Sequence, residues 1–177
     1  MIEPIIDAQL IDGAIDLVKK LRSDAPKRFV PPSEGTRSAS ESILPFALVR
    51  GTRGYLEKVT NQINGCYEKG WFDSCAVMMR RLLETLIIEC FEKHGIDAKI
   101  KGANGDFFFL RDLITMALQE TAWNLGRNVK AALPRLKDVG DKSAHSRRYN
   151  ALRGDIDKVS TDFRDVCQEL LVIAGLK

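Results

Sequence analysis

The stretch GDKSAHSRR, residues 140–148, holds the side chains of this chain that are best suited to chemistry. Asp141 precedes His145 by four residues, so a helix would put a carboxylate and an imidazole on one face. A carboxylate in that position fixes the imidazole tautomer and suits general acid–base catalysis. Arg147 and Arg148 follow, and guanidinium groups bind phosphate well. The same pattern is typical of a surface ion pair or a helix end, so spacing alone leaves catalysis open.

A second set of polar side chains interrupts the most apolar segment of the chain. Arg80, Arg81 and Glu84 lie within WFDSCAVMMRRLLETLIIECFEKHG. Arg80 and Glu84 are four residues apart, a spacing that brings helical side chains into contact and is typical of a structural ion pair. The two arginines, Glu84 and Lys142 are also candidates for binding RNA or a nucleotide, with the cations on the phosphates.

Amphipathic helical patterns carry both sets of residues. Asp73 as N-cap and Gly95 as a stop predict a helix between them. Apolar residues cover much of its circumference, which predicts a central helix or one with a second partner. Further helices are predicted over 5–22, 53–69, 107–120, 128–145 and 152–174. No segment alternates with a period of two residues, so the predicted fold class is all-α.

Two details of the later helices matter for the fold. Pro134 falls within the helix predicted over 128–145 and fits only in a first turn or at a kink. The last helix repeats apolar residues in steps of four and three, which predicts a seam for the core or for another subunit. That seam comprises Leu152, Ile156, Val159, Phe163, Val166, Leu170 and Ile173.

The 177 residues predict one domain with an appendage. Residues 1–50 contain the first helix and a linker rich in Pro and Ser, and residues 51–177 form the bundle domain. We expect the first helix to dock on its own bundle or on a second subunit. The net charge of +3 is weak, so nucleic-acid binding would need a local basic patch.

Several classes of protein are excluded. No apolar run approaches the length of a membrane span and the first residues do not resemble a signal peptide, so we predict a cytoplasmic protein without membrane contact. The four cysteines are scattered and are expected to be reduced packing residues. His94 and His145 are too distant to form a metal site, so neither metal nor cofactor is predicted. No strand–glycine–helix signature of a nucleotide-binding fold is present.

Two motifs in order resemble the bacterial domains of unknown function that are related to the HEPN (higher eukaryotes and prokaryotes nucleotide-binding) superfamily. The first is Arg-x-Leu-Leu-Glu, from Arg80 or Arg81 to Glu84, and the second is the Gly-Asp-x-x-Ala-His of residues 140–145. The resemblance covers residues 55–174. It implies an up-and-down helical bundle that forms a homodimer and takes part in prokaryotic antiviral defence or toxin–antitoxin systems, with a partner protein from such a system.

In the active HEPN ribonucleases an Arg, a polar residue and a His share one helix. The resemblance implies that the His assists attack of the RNA 2′-hydroxyl, that the Arg stabilises the transition state, and that no metal is required. Asp141 and His145 match the last two positions, but the positions allowed for the Arg hold Gly140, Val139 and Asp138. Losing one such contact typically costs about 2–4 kcal/mol. A glycine at 140 also permits close approach of two helices.

Three hypotheses follow. In the first, which we favour, the chain is a non-catalytic, dimeric HEPN-like module that binds RNA, a nucleotide or a partner protein through the rim around Asp141, His145 and Arg147. In the second it is a metal-independent endoribonuclease in which Arg80, Arg81 or Arg147 replaces the missing Arg. In the third it is a structural or regulatory subunit in which this segment serves only packing.

Overall fold

The computed structural model describes residues 13, 15–19 and 43–177 of this chain. Within 43–177 the α-helices are α1 (Phe46–Val49), α2 (Gly54–Glu68), α3 (Phe72–Lys93), α4 (Leu110–Gln119), α5 (Arg127–His145) and α6 (Arg153–Ile173). A 3₁₀ helix, Asp97–Ile100, lies between α3 and α4. The described residues contain no strand and one isolated β-bridge, between Lys101 and Phe107. The predicted all-α class is therefore confirmed.

Helix α3 lies at the centre of the bundle, as predicted. It packs against α2, α4, α5 and α6. Leu82, Leu86 and Phe91 point in different directions from its axis and are all fully buried. A helix with so wide an apolar surface needs several neighbours, because a single partner would leave part of that surface in water.

The ends of the helices agree with the sequence at two glycines and differ at one cap. Gly70 and Gly95 follow α2 and α3 with φ angles of 75° and 67°, a left-handed conformation that favours glycine. Helix α3 begins at Phe72, so Asp73 lies in its first turn and the predicted N-cap is wrong. The Asp73 carboxylate instead accepts a hydrogen bond from the backbone N–H of Ala151 at 2.9 Å.

Two more helix predictions are corrected. The helix predicted over 107–120 begins at Leu110, because the bridge to Lys101 holds Phe107 in an extended conformation. Pro134 lies well inside α5 rather than in its first turn. Without an N–H it cannot bond to the carbonyl of Lys130, and both residues are on the exposed side of α5, where water reaches that carbonyl.

Helix α6 turns its apolar repeat towards α3 and α5. The predicted seam therefore packs in the core of this chain. Leu152 is the exception, since it precedes the helix and is 67% exposed. The buried members are Ile156, Val159, Phe163, Val166 and Leu170.

The segment that leads into α1 is held by two distant helices. Asn64 of α2 is buried, and its side-chain amide accepts from the Leu44 N–H at 3.1 Å and donates to the Leu44 carbonyl at 2.9 Å. The Nε of Arg164 on α6 donates to the Ile43 carbonyl at 2.8 Å. Ile43 and Leu44 are buried in the core, so these bonds satisfy backbone groups that water cannot reach.

The chain divides into two compact units, Met1–Ser33 and Glu34–Lys177. In the first unit residue 13 and residues 15–19 are helical and exposed, and Lys19 pairs with Asp16 at 3.5 Å. The remainder of the helix predicted over 5–22, and the linker that follows it to residue 42, lie outside the described residues. None of the helices described is long and apolar enough to cross a lipid bilayer.

The four cysteines are free thiols. Cys75, Cys90 and Cys167 are buried and Cys66 is half-buried, which agrees with the predicted packing role. Burial raises the pKa of Cys75 and of Cys90 to about 12. Burial likewise raises the pKa of Cys167.

Candidate functional site

The candidate site forms where α3 crosses α5 at Gly140. A Cβ atom at Gly140 would lie 2.7 Å from the Cβ of Arg80 and 3.2 Å from the carbonyl oxygen of Ala76. Both distances are shorter than ordinary van der Waals contact, so only glycine allows the two helices to approach this closely. The aliphatic part of Arg80 therefore lies against bare backbone of α5, at the position where the HEPN motif has its own Arg.

Asp141 is held by two cations. The Nε of Arg80 donates to its Oδ1 at 2.8 Å, and the Nζ of Lys137 donates to its Oδ2 at 2.7 Å. Nη1 of Arg80 also lies 3.4 Å from Oε2 of Glu84, so the pair predicted from spacing is present. These side chains are between 20% and 34% exposed, which limits the screening of their charges by water.

The pKa values in this network follow from its contacts. Partial burial alone would raise the pKa of Asp141, but the hydrogen bonds from Lys137 and Arg80 outweigh it and lower that pKa below its usual value. The hydrogen bond to Asp141 raises the pKa of Lys137. The carboxylate is therefore ionised and fully engaged at neutral pH.

His145 is the last residue of α5 and is exposed. Within 43–177 its ring makes no hydrogen bond or ion pair, either with Asp141 or with another side chain. The spacing of four residues puts both on one face, but Lys137 and Arg80 occupy the carboxylate. Asp141 consequently does not fix the tautomer of His145.

The residues beyond Asp141 form a basic rim, which we define as Lys142, His145, Arg147 and Arg148. All four are exposed. Arg147 and Arg148 have no ion pair with any described residue. This contrasts with the exposed cations elsewhere in the bundle that pair with carboxylates, namely Arg53, Lys99, Arg111 and Arg135.

The loop after α5 is fixed by contacts with its surroundings. The hydroxyl of Tyr149 donates to Asp155 at 3.2 Å, and the N–H of Leu152 donates to the same carboxylate at 3.0 Å. The Leu152 hydrogen bond is the largest cause of the lowered pKa of Asp155, and the nearby charge of Lys142 contributes. The Ala151–Asp73 bond described above anchors the loop to α3. The basic rim is therefore presented on an ordered segment.

Arg153 adds a third anchor at the start of α6. Its guanidinium carbon lies 4.6 Å from the ring centroid of Tyr67 and 5.6 Å from that of Phe72. Nη1 of Arg153 also donates to the Tyr67 hydroxyl at 2.9 Å. A cation over an aromatic face is stabilised by the ring quadrupole, which ties the end of the loop to the turn between α2 and α3.

The structure thus brings Arg80, Glu84 and Asp141 into one network and leaves the basic rim beside it. Arg81 is exposed on α3 and has no ion pair among the described residues. Sequence reasoning missed the role of Lys137, although its spacing of four residues from Asp141 was a usable signal. It also missed Ser143, whose buried hydroxyl has no hydrogen-bond partner in the described part of the chain.

Two other features of the described residues bear on chemistry. No group of three or more His, Cys, Asp or Glu side chains is arranged to hold a metal ion within these ranges. An open cavity of about 470 Å³ lies at the other end of α5, lined by Gly126, Arg127, Asn128, Val129, Asp165 and Glu169. Glu169 accepts from the Gly126 N–H at 2.5 Å, so a carboxylate of the chain already caps that helix end.

Comparisons with known proteins add no further assignment. No protein-family model, curated protein or solved structure matches this chain.

Proposed function

We propose that this chain is a HEPN-like helical module that binds RNA through its basic rim and does not cleave it. The observation that carries the proposal is the exposed pair Arg147 and Arg148, which have no ion pair with a described residue and stand on an anchored loop beside His145. Guanidinium groups bind phosphate oxygens in a bidentate manner, and an ordered loop reduces the entropy lost on binding.

The network around Asp141 supports binding without catalysis. Its two oxygens are engaged by Arg80 and Lys137, so it orients no general base. The motif Arg is replaced by Gly140, and the nearest guanidinium, that of Arg80, is itself paired with Asp141 and Glu84. A missing transition-state contact of this kind costs about 2–4 kcal/mol, or roughly a hundred- to a thousandfold in rate.

The wider role of the module rests on the motif resemblance alone. On that basis we propose that it acts as a homodimer in a prokaryotic defence or stress system, in the cytoplasm, alongside a partner protein of that system. The alternation of buried and exposed helix faces is compatible with such a module but does not identify the partner.

RNA binding is tested with fluorescently labelled single-stranded RNA by anisotropy over a range of salt concentrations. The double variant Arg147→Ala/Arg148→Ala should bind more weakly, and its log–log salt slope should be smaller by about two, since each lost phosphate contact removes roughly one unit. Arg127→Ala is the matched control, because Arg127 is exposed at the opposite end of α5. Equal binding by the double variant and the control would refute the proposal, and competition by mononucleotides would separate a nucleotide site from an RNA site.

One observation favours a second candidate, a metal-independent endoribonuclease. Arg80 lies against Gly140, so its guanidinium reaches the face of α5 that the motif Arg would occupy. Incubation with RNA in EDTA should then give fragments that end in a cyclic phosphate, and both His145→Ala and Arg80→Ala should abolish them. Equal cleavage by His145→Ala would exclude this function. Absence of both binding and cleavage would leave a structural or regulatory subunit.

A further inference from the structure

Residues 106–109 form a short extended segment just before α4. The N–H of Gly102 donates to the Asp106 carbonyl at 2.8 Å, and the N–H of Phe108 donates to the Ile100 carbonyl at 2.9 Å. These two bonds flank the antiparallel bridge between Lys101 and Phe107. In this bonding pattern the N–H and C=O of the bridged residue point away from its partner strand. Phe107 therefore directs both of its backbone polar groups outward.

That outward edge is unpaired. Among the described residues, no hydrogen bond involves the N–H or C=O of Phe107, or the N–H of Phe109. An exposed edge with free donors and acceptors is a template for another extended chain. This edge is short, but it carries no proline and no bulge that would block pairing.

The side chains of the same segment alternate. Phe108 packs against the core, whereas Phe107 is 37% exposed and Phe109 is 80% exposed. The ammonium of Lys101 lies 4.8 Å from the ring centroid of Phe107 and covers part of it. Two neighbouring phenyl rings in water beside an unpaired backbone edge mark an interaction surface.

We infer that a second copy of this chain pairs with this edge, antiparallel, about a two-fold axis at Phe107. One residue offers both a donor and an acceptor outward, which is the requirement for a residue to exchange two hydrogen bonds with its own copy. The same register places Gly105 opposite Phe109 of the other copy. A Cβ at Gly105 would meet nothing within 4 Å, so this position has room for a phenyl ring.

The pairing gathers four phenyl rings on one face. Aromatic side chains bury about 150–250 Å² each when fully covered, so these rings remove at most several hundred Å² from water. Stable interfaces bury about 1,200 Å² or more, so this contact alone gives a weak dimer that forms at high protein concentration. The pairing does not depend on the basic rim and stands whether or not that rim binds RNA.

A symmetric disulfide tests the register. Phe107→Cys in a Cys66→Ser background should form a disulfide-linked dimer under mild oxidation, because the facing Cα atoms would be about 5.5 Å apart. Ala103→Cys in the same background is the control, since Ala103 is equally exposed but outside the paired segment. Adding Phe109→Asp to Phe107→Cys should abolish the crosslink. Equal crosslinking at 103 and 107, or none at 107, would overturn the inference.

Amide hydrogen exchange on the unmodified protein gives a second measurement that no substitution can disturb. The amides of Phe107 and Phe109 should exchange more slowly as protein concentration rises, while that of Asn104 should not change. Exchange that is independent of concentration at these two amides would overturn the pairing. Protection that appears only on adding an unrelated extended peptide would also overturn it, by identifying a different occupant.

Discussion

Replacing Gly140 by alanine should destabilise the bundle even though alanine is the better helix former. The new Cβ would lie 2.7 Å from the Cβ of Arg80, an atom fixed to the backbone of α3 rather than the mobile end of a side chain. Relief therefore requires α3 and α5 to separate. Overpacking of this kind costs up to about 3 kcal/mol. Alanine recovers about 1 kcal/mol of helix propensity, so the expected net loss is about 2 kcal/mol.

Urea unfolding followed by far-ultraviolet circular dichroism measures this change. The free energy of unfolding should fall by about 2 kcal/mol, and Tm by about 4–8 °C for a chain of this size. Gly154→Ala is the matched control, because Gly154 is also helical, in α6, and a Cβ there meets nothing within 4 Å. That variant should gain about 0.5 kcal/mol. If Gly140→Ala were as stable as the unmodified chain while Gly154→Ala gained as expected, close approach of α3 and α5 would not explain the glycine.

Three further predictions concern the same region and the core. Gly140→Arg, which restores the family motif, should be less stable than Gly140→Ala and should show no cleavage of RNA in EDTA; cleavage by this variant would mean that α5 accommodates the side chain. Asp141→Asn should lower the free energy of unfolding at pH 7 by about 1 kcal/mol, since a partly exposed charged hydrogen bond is lost. Because folding lowers the pKa of Asp141 from 3.8, its stabilising contribution is present above that pH and is lost below it, so the two unfolding curves should converge in acid; a constant difference would contradict this. A thiol reagent applied to the native protein should label Cys66 first, and fast labelling of any buried cysteine would contradict the core described here, whose thiols are Cys75, Cys90 and Cys167.

The helices that sequence predicted best are those in which one strong pattern meets one clear boundary. The repeat from Ile156 to Leu170 packs in the core, and Gly70 and Gly95 stop their helices in the left-handed conformation. Both signals are local, because side-chain periodicity and the conformational freedom of glycine act within a few residues. The predicted reason for Gly140, close approach of two helices, is also supported by its short distances to Arg80.

The misses arise from contacts between residues far apart in sequence. Asp73 has the side chain of a good cap, but its carboxylate bonds to the N–H of Ala151, 78 residues later. Phe107 continues a helical pattern, yet its pairing with Lys101 keeps it extended. Neither partner can be deduced from the local sequence, because each depends on how the loops fold back on the bundle.

The candidate site shows the same division. Asp141 stands four residues from both Lys137 and His145, so spacing offered two partners and gave no means of choosing. Lys137 wins because it lies within α5, where Arg80 from α3 completes the ion pairs, whereas His145 is the last helical residue and faces water. Tertiary packing thus decided between two alternatives that are equal in sequence.

The bonds that hold the segment leading into α1 have a consequence for synthesis on the ribosome. The Ile43 carbonyl bonds to Arg164, 121 residues later in the chain. A growing polypeptide cannot form this contact until nearly all of it has left the exit tunnel, although Asn64 is available to Leu44 much earlier. The apolar side chains of Ile43 and Leu44 are therefore incompletely covered for most of translation, and that interval is when a chaperone would have the most to bind.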